Sequence, residues 1–500
     1  MRYIPDVLGP GFESTRLQRE PDEFSERSAT VVRYLPSEDP KATLPDRVVP
    51  GNLRTGGAPK TGSLTVLPPQ ASPQQAAELD CYYTRLGSAR RATAPQPVVK
   101  PLDETQQSDV TALRDYLGAE LRGQDLSVAD SWSDSAPQNP KFIVVYLHGW
   151  NDYFYQTHLA RSLTQLGAAF YALDLHRYGR NLPDWKGGKV WNGYTENFRE
   201  YDPEIDWAVA TAREEHPGLP VLVMGHSNGG GIVAGWAARH HDSFDGLIFN
   251  SPWLVQDISM IPAGKAVRWF IANKAQHLRI PMPQGNLTTY ADSLAGYRAI
   301  RSPLPRRLIP FQNDPSVVGW VENPQWRILT GLPTLLGWVS TVLRNHRWLR
   351  ESATFPAKPV LCLTGNHELD PFYLPEVERV DSLLAEQWKR EGRTPLHRHL
   401  EQNGLRIERS LHKFTHADQP DEPEAGYRSA LLGWTEAARH TDTILNGELI
   451  EQRAKELFGD NLTVRQMSGY HDLTLSQPLE RAAFFAEISD WLAHSEIIPK

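Results

Sequence analysis

Five short runs in this chain are apolar at nearly every position: Phe142–Leu147 (FIVVYL), Phe170–Leu175 (FYALDL), Val221–Met224 (VLVM), Leu247–Asn250 (LIFN) and Pro359–Thr364 (PVLCLT). A strand with one face in water alternates apolar and polar residues, so an unbroken apolar run is covered on both faces. The first runs are separated by segments with helical spacing, Tyr155–Leu166 and Pro203–Glu215. Strand and helix in turn predict an α/β chain: a mostly parallel sheet with helices on both faces. Leu462–Met467 closes the sheet, and Leu479–Ala493 predicts a last helix that packs Phe484, Phe485, Ile488, Trp491 and Leu492 on it. Near the start, the β-branched run Ala29–Leu35 predicts an antiparallel strand within an opening hairpin at residues 1–35.

The run Val221–Met224 ends in Gly225-His226-Ser227-Asn228-Gly229, a G-x-S-x-G pattern, and a small-residue apolar segment, Ile232–Ala238, follows. Strand, Ser-centred turn and helix form the setting of a strained turn that projects a nucleophilic hydroxyl. Gly225 and Gly229 flank Ser227, where a Cβ would meet the neighbouring strand or helix. A helix starting at Ser227 directs free N–H groups at any anion formed there.

Length and composition narrow the possibilities. The chain has 500 residues, room for one α/β domain with large insertions or for two or three average domains. With 40% hydrophobic and 22% charged residues it reads as globular. A net charge of -8 and a pI near 6.1 argue against nucleic acid as an obligate partner. Mean hydropathy is -0.47, and no apolar run reaches the length of a membrane span. The opening residues lack an apolar leader, and two cysteines, Cys81 and Cys362, make no disulfide framework; a cytoplasmic home is expected.

Residues 1–35 and 140–252 are expected to form the first part of the core, and 359–365 with 436–500 the second. Prolines mixed with Gly, Ser, Gln and Thr mark 36–139 as an insertion, partly disordered, interrupted by a helical stripe of Val110, Leu113, Leu117 and Leu121. Residues 253–358 lose the strand–helix rhythm and carry Trp269, Trp320, Trp326, Trp338, Trp348 and a helix-like segment, Leu332–Leu343. An apolar insertion there predicts a helical cap over the site. Residues 366–435 form a second, charged insertion with helical character at Pro375–Lys389.

A serine hydroxyl needs a base, and the base a carboxylate to orient it. His471 follows the last strand in Ser468-Gly469-Tyr470-His471-Asp472. The carboxylate should follow strand Pro359–Thr364. Glu368 and Asp370 lie directly there, and Asp442 returns to the same place if the insertion loops out; spacing does not choose between them. An oxyanion needs two N–H donors. Asn228 supplies one, and Trp150 the other, in His148-Gly149-Trp150, where Gly149 lets the backbone approach the substrate. His412 and His416 stand at helical spacing, but no acidic or cysteine pattern accompanies them, so no metal is expected.

Together HGWNDYFYQTHLA (148–160), FYALDLHRYGRN (170–181), GHSNGG (225–230), NSPWL (250–254) and SGYHDLTLS (468–476) resemble the α/β-hydrolase superfamily. They are most similar to its monoacylglycerol lipase, lysophospholipase and serine-aminopeptidase-like branch, in an actinobacterial form. The resemblance covers the core but not most of 36–139 or 366–435. It implies a Ser, acid, His order along the chain, and Asp442-Thr443-Ile444-Leu445-Asn446 is similar to the branch's acid-bearing stretch, with Asn446 in place of the usual acid. It therefore favours Asp442 over Glu368 or Asp370. The function implied is a serine hydrolase that cleaves a small acyl ester through Ser227, His471 and Asp442 without a cofactor. Peptidase, thioesterase or haloperoxidase-like chemistry on the same residues, or an idle hydrolase fold kept for binding, are the rival readings.

Overall fold

A computed structural model describes residues 2–40, 42, 63–64, 139–182, 191–256, 265–281, 293–294, 304–305, 314–320, 323, 326–327, 334–366 and 436–498. Its centre is a nine-stranded sheet. The strands are β1 (Ile4–Pro5), β2 (Phe12–Arg19), β3 (Arg27–Tyr34), β4 (Phe142–Leu147), β5 (Ala168–Asp174), β6 (Val221–His226), β7 (Gly246–Asn250), β8 (Val360–Gly365) and β9 (Leu462–Met467). Their spatial order is β1-β2-β3-β5-β4-β6-β7-β8-β9. The opening hairpin joins the sheet antiparallel through β3 and β5, and all pairings from β5 to β9 are parallel.

The principal helices are α1 (Thr157–Gln165), α2 (Asp202–Glu215), α3 (Asn228–Ala237), α4 (Lys265–Lys274), α5 (Leu336–Glu351), α6 (Gly447–Phe458) and α7 (Pro478–His494). The sheet's two faces feed separate cores, split by the period of two along each strand. On one face Ile143, Val145, Val221, Val223, Leu247 and Phe249 pack with residues of α2, α3, α5 and α6. On the other, Val144, Tyr146, Leu222, Met224, Ile248 and Leu361 pack with Leu159 and Leu163 of α1 and with Phe484, Phe485, Ile488 and Trp491 of α7. The unbroken apolar runs are thus covered twice, as their composition requires. The architecture is the α/β-hydrolase fold.

One boundary departs from expectation. The helix foreseen at Leu332–Leu343 begins at Leu336 and runs to Glu351. Leu335 is extended, and the N–H groups of Leu336 and Gly337 donate to the carbonyls of Ile280 and Leu278, which ties the helix start to another segment. Beyond Leu343 the buried stripe continues through His346 and Leu349, which sustains the helix. Most of 36–139 and of 366–435, with the stripe from Val110 to Leu121, the segment Pro375–Lys389, Glu368, Asp370, His412, His416 and Cys81, lies outside the described residues. Among the described residues no helix is long and apolar enough to cross a membrane.

The chain leaves β4 for β5 on one side and then returns to β6 on the other side of β4. At such a reversal the loops after two adjacent parallel strands part and leave a crevice at their carboxyl ends. The loops after β4, β6, β8 and β9 all open at this end of the sheet.

Candidate active site

Strand β6 delivers Ser227 in a sharp turn with φ 52° and ψ -121°. A non-glycine residue at this φ costs on the order of 1–3 kcal/mol and persists only where its surroundings fix it. Here they do. The Ser227 N–H donates to the Asn250 carbonyl at 3.1 Å, and its carbonyl accepts from Gly230 at 2.9 Å and Trp253 at 2.7 Å. The flanking glycines are steric necessities: a Cβ on Gly225 would come within 2.7 Å of Gly230 Cα, and one on Gly229 would run into the His148 carbonyl.

Two segments build a relay from this hydroxyl. The loop after β9 places His471, whose Nε2 is 2.8 Å from Ser227 Oγ. Its Nδ1 lies 2.9 Å from Asp442 Oδ2. The other oxygen, Asp442 Oδ1, accepts the N–H groups of Ile444 at 2.8 Å and Leu445 at 2.9 Å. Asp442 is fully buried, and its own N–H donates to the Asn366 carbonyl at 2.7 Å, next to the end of β8. The long segment after β8 therefore leaves and returns at one point. Such a relay can pass the serine proton to an imidazole whose tautomer and orientation the carboxylate fixes.

Gly149 and Trp150 lie across the crevice. A Cβ on Gly149 would sit 3.1 Å from Ser227 Cβ, so this backbone runs directly beside the nucleophile. The Gly149 carbonyl accepts from His148 Nδ1 at 2.8 Å. The Leu175 N–H donates to His148 Nε2 at 3.2 Å, which assigns the proton to Nδ1. Burial depresses the His148 pKa and keeps the ring neutral. The Trp150 indole packs on Trp338 of α5 with centroids 3.7 Å apart and planes tilted by 37°, and it meets Tyr178 edge-on.

Sequence reading missed a polar network behind this front. His226 and Asp472, the neighbours of Ser227 and His471, are both buried. Asp472 accepts from Asn250 Nδ2 at 2.7 Å, Thr474 Oγ1 at 2.7 Å, Thr474 N at 3.0 Å and Gln156 Nε2 at 3.1 Å. Burial opposes its charge, but the neighbouring His226 and the hydrogen bonds from Thr474 and Asn250 hold the carboxyl below the usual carboxylate range. His226 Nδ1 donates to the Asn250 carbonyl at 3.0 Å, and burial pushes its pKa down to about 4. Asp152, His226 and Asp472 each place one potential metal-ligand atom within 4.8 Å of the others. The hydrogen bonds to Asp472 already occupy both its oxygens, so the cluster works as a strut between the His471 loop, β7 and the start of α1. The only sequence signal was position, since each residue adjoins one already singled out.

Fold and site define the class first: an α/β-hydrolase fold with a serine at the elbow. Residues 138–369 match the family described as serine aminopeptidase, S33 (Hydrolase_4). A 126-residue stretch, 25% of this chain, is 31% identical to a monoacylglycerol lipase of Mycolicibacterium smegmatis and spans 42% of that protein's length. Among solved structures, a soluble variant of the Saccharomyces cerevisiae monoglyceride lipase is similar with a TM-score of 0.41 at 14% identity, over 73% of this chain and 89% of that one. The Paleococcus ferrophilus monoacylglycerol lipase gives 0.42 at 17% identity, over 72% and 96%. The family match and the mycobacterial relative agree with the branch that the sequence motifs resemble.

Proposed function

We propose that this protein is a serine ester hydrolase acting on small acyl esters of the monoacylglycerol or lysophospholipid kind. One observation carries the reading: the continuous chain from Ser227 Oγ through His471 to Asp442, with steps of 2.8 and 2.9 Å. Ser227 attacks the ester carbonyl, and His471 takes its proton and returns it to the departing alcohol. Asp442 holds the imidazole. The N–H groups of Trp150 and Asn228 bind the oxyanion, and water then frees the acyl group. No step requires a cofactor. Residues 253–358 supply the apolar cap, and the site of action is the cytoplasm. The monoacylglycerol lipase relative supports the substrate class.

Labelling with a fluorophosphonate probe tests the reading. The wild type is expected to label and Ser227→Ala to stay blank; a folded wild type that does not label would sink the enzyme reading. The family's description favours one second reading, release of N-terminal amino acids. Comparing p-nitrophenyl butyrate with aminoacyl p-nitroanilides separates the two.

A further inference from the structure

The two peptide groups assigned to the oxyanion are each fixed through their carbonyls. In a trans peptide the C=O and N–H point opposite ways, so fixing one fixes the other. The Asn228 N–H belongs to the same peptide as the Ser227 carbonyl, which Trp253 N–H holds at 2.7 Å. The Trp150 N–H belongs to the same peptide as the Gly149 carbonyl, which His148 holds at 2.8 Å. Both peptides are held from behind, and helix α5 reaches both.

On the first side, His346 of α5 donates from Nε2 to the Trp253 carbonyl at 2.7 Å, and Asn345 Nδ2 donates to the Gly231 carbonyl at 3.1 Å. These bonds seat Trp253 against the elbow. On the second side, Trp338, about two turns earlier on α5, packs on Trp150 at a tilt of 37° with centroids 3.7 Å apart and approaches Trp253 at 5.8 Å. Trp338 is 3% exposed, and its indole N–H has no hydrogen-bond partner among the described residues. A buried donor without a partner is unfavourable. What this side chain contributes is therefore the face of its ring, laid against Trp150.

We propose that Trp338 and His346 are positioning residues: α5 braces both oxyanion-donating peptides at once, through the Trp150 indole and through Trp253. The inference rests on the serine hydrolase reading. It assigns the segment between β7 and β8 a part in transition-state stabilisation, beyond covering the site.

The test uses the full chain and p-nitrophenyl butyrate, with an alkyl trifluoromethyl ketone as a probe whose adduct carries an oxyanion. Outright loss of one oxyanion donor lowers kcat by about a hundred- to a thousandfold. A misaimed donor in Trp338→Ala should therefore lower kcat by about ten- to a hundredfold, with KM within about threefold. The ketone should bind more weakly by a similar factor, while product carboxylate affinity stays put. Trp338→Phe, which keeps a ring face, should recover most of the loss. His346→Leu should behave like Trp338→Ala, and His346→Gln, which keeps a donor, like the wild type. If Trp338→Ala loses its near-ultraviolet circular dichroism, Trp338→Leu and the His346 pair decide. Folded variants that keep kcat and ketone affinity within about twofold overturn the brace alone. A wild type without ester turnover or probe labelling overturns the hydrolase reading together with it.

Discussion

His148 donates from Nδ1 to the carbonyl of its own neighbour, Gly149, at 2.8 Å, and so fixes the Gly149–Trp150 peptide beside Ser227. The Leu175 N–H at His148 Nε2 makes this tautomer the stable one. Under the proposed mechanism this histidine holds the peptide whose N–H meets the oxyanion.

Replacing His148 by alanine frees the Gly149–Trp150 peptide to rotate. We expect kcat toward p-nitrophenyl butyrate to fall by about ten- to a hundredfold with little change in KM, as for an interaction made mainly in the transition state. Steady-state kinetics check this. A change confined to KM would place His148 in ground-state binding instead.

Asp442→Asn keeps the shape of the site but favours the wrong imidazole tautomer. The expected loss in kcat is about a thousand- to ten-thousandfold, while His471→Ala should leave only residual turnover. Near-normal rates for Asp442→Asn would turn attention to Glu368 and Asp370.

Asp472 is a matter of stability first. Its removal strands the Asn250 amide, the Thr474 N–H and hydroxyl, and the Gln156 amide in a buried site. Asp472→Ala should cost about 3 kcal/mol of unfolding free energy, and Asp472→Asn distinctly less, because one acceptor oxygen remains. Urea denaturation with both variants measures the difference. Equal costs would show that charge, and not acceptor count, is what the strut needs.

Two buried histidines give the fold an acid sensitivity. Burial pushes the pKa of His226 and of His346 down to about 4 from 6.5. Between these values the unfolded chain binds protons that the folded one does not, so stability falls as the pH drops from 6.5 through 4. Each group contributes on the order of 3 kcal/mol above pH 6.5, lost progressively across that window. Denaturant midpoints at pH 7, 5 and 4 should decline in that order, and His346→Gln should decline less steeply. A midpoint that rises toward pH 4 would contradict the assignment.

What could be read from sequence divides along a physical line. Strands such as Phe142–Leu147 and Leu462–Met467 are local patterns of apolar residues, and they stand where periodicity puts them. The elbow is equally local, because strand, glycines and helix adjoin one another. Asp442 reaches His471 only because Asn366 and Asp442 pair through their backbones, a contact that composition does not encode. The roles of His148, Trp253, Trp338 and Asp472 were invisible for the same reason. Each depends on a partner or a peptide orientation set by the fold, such as Gln156 against Asp472. Helix α5 starts at Leu336, where the carbonyls of Ile280 and Leu278 satisfy its first N–H groups, partners set by the fold.

The bond from Asp442 N–H to the Asn366 carbonyl, with Asn366 N–H on the Met467 carbonyl at 2.7 Å, acts as a clasp at the neck of the segment between them. A neck closed in this way separates the length of what it encloses from the placement of the carboxylate. A change in length ahead of the packed turn at residues 438–441 would leave the backbone bond that places the acid relative to His471 in being. In evolutionary terms such a neck would let relatives of different length share one reaction centre. In engineering terms the neck is a port where a tag or a foreign domain can be spliced in while the chemistry is left in place.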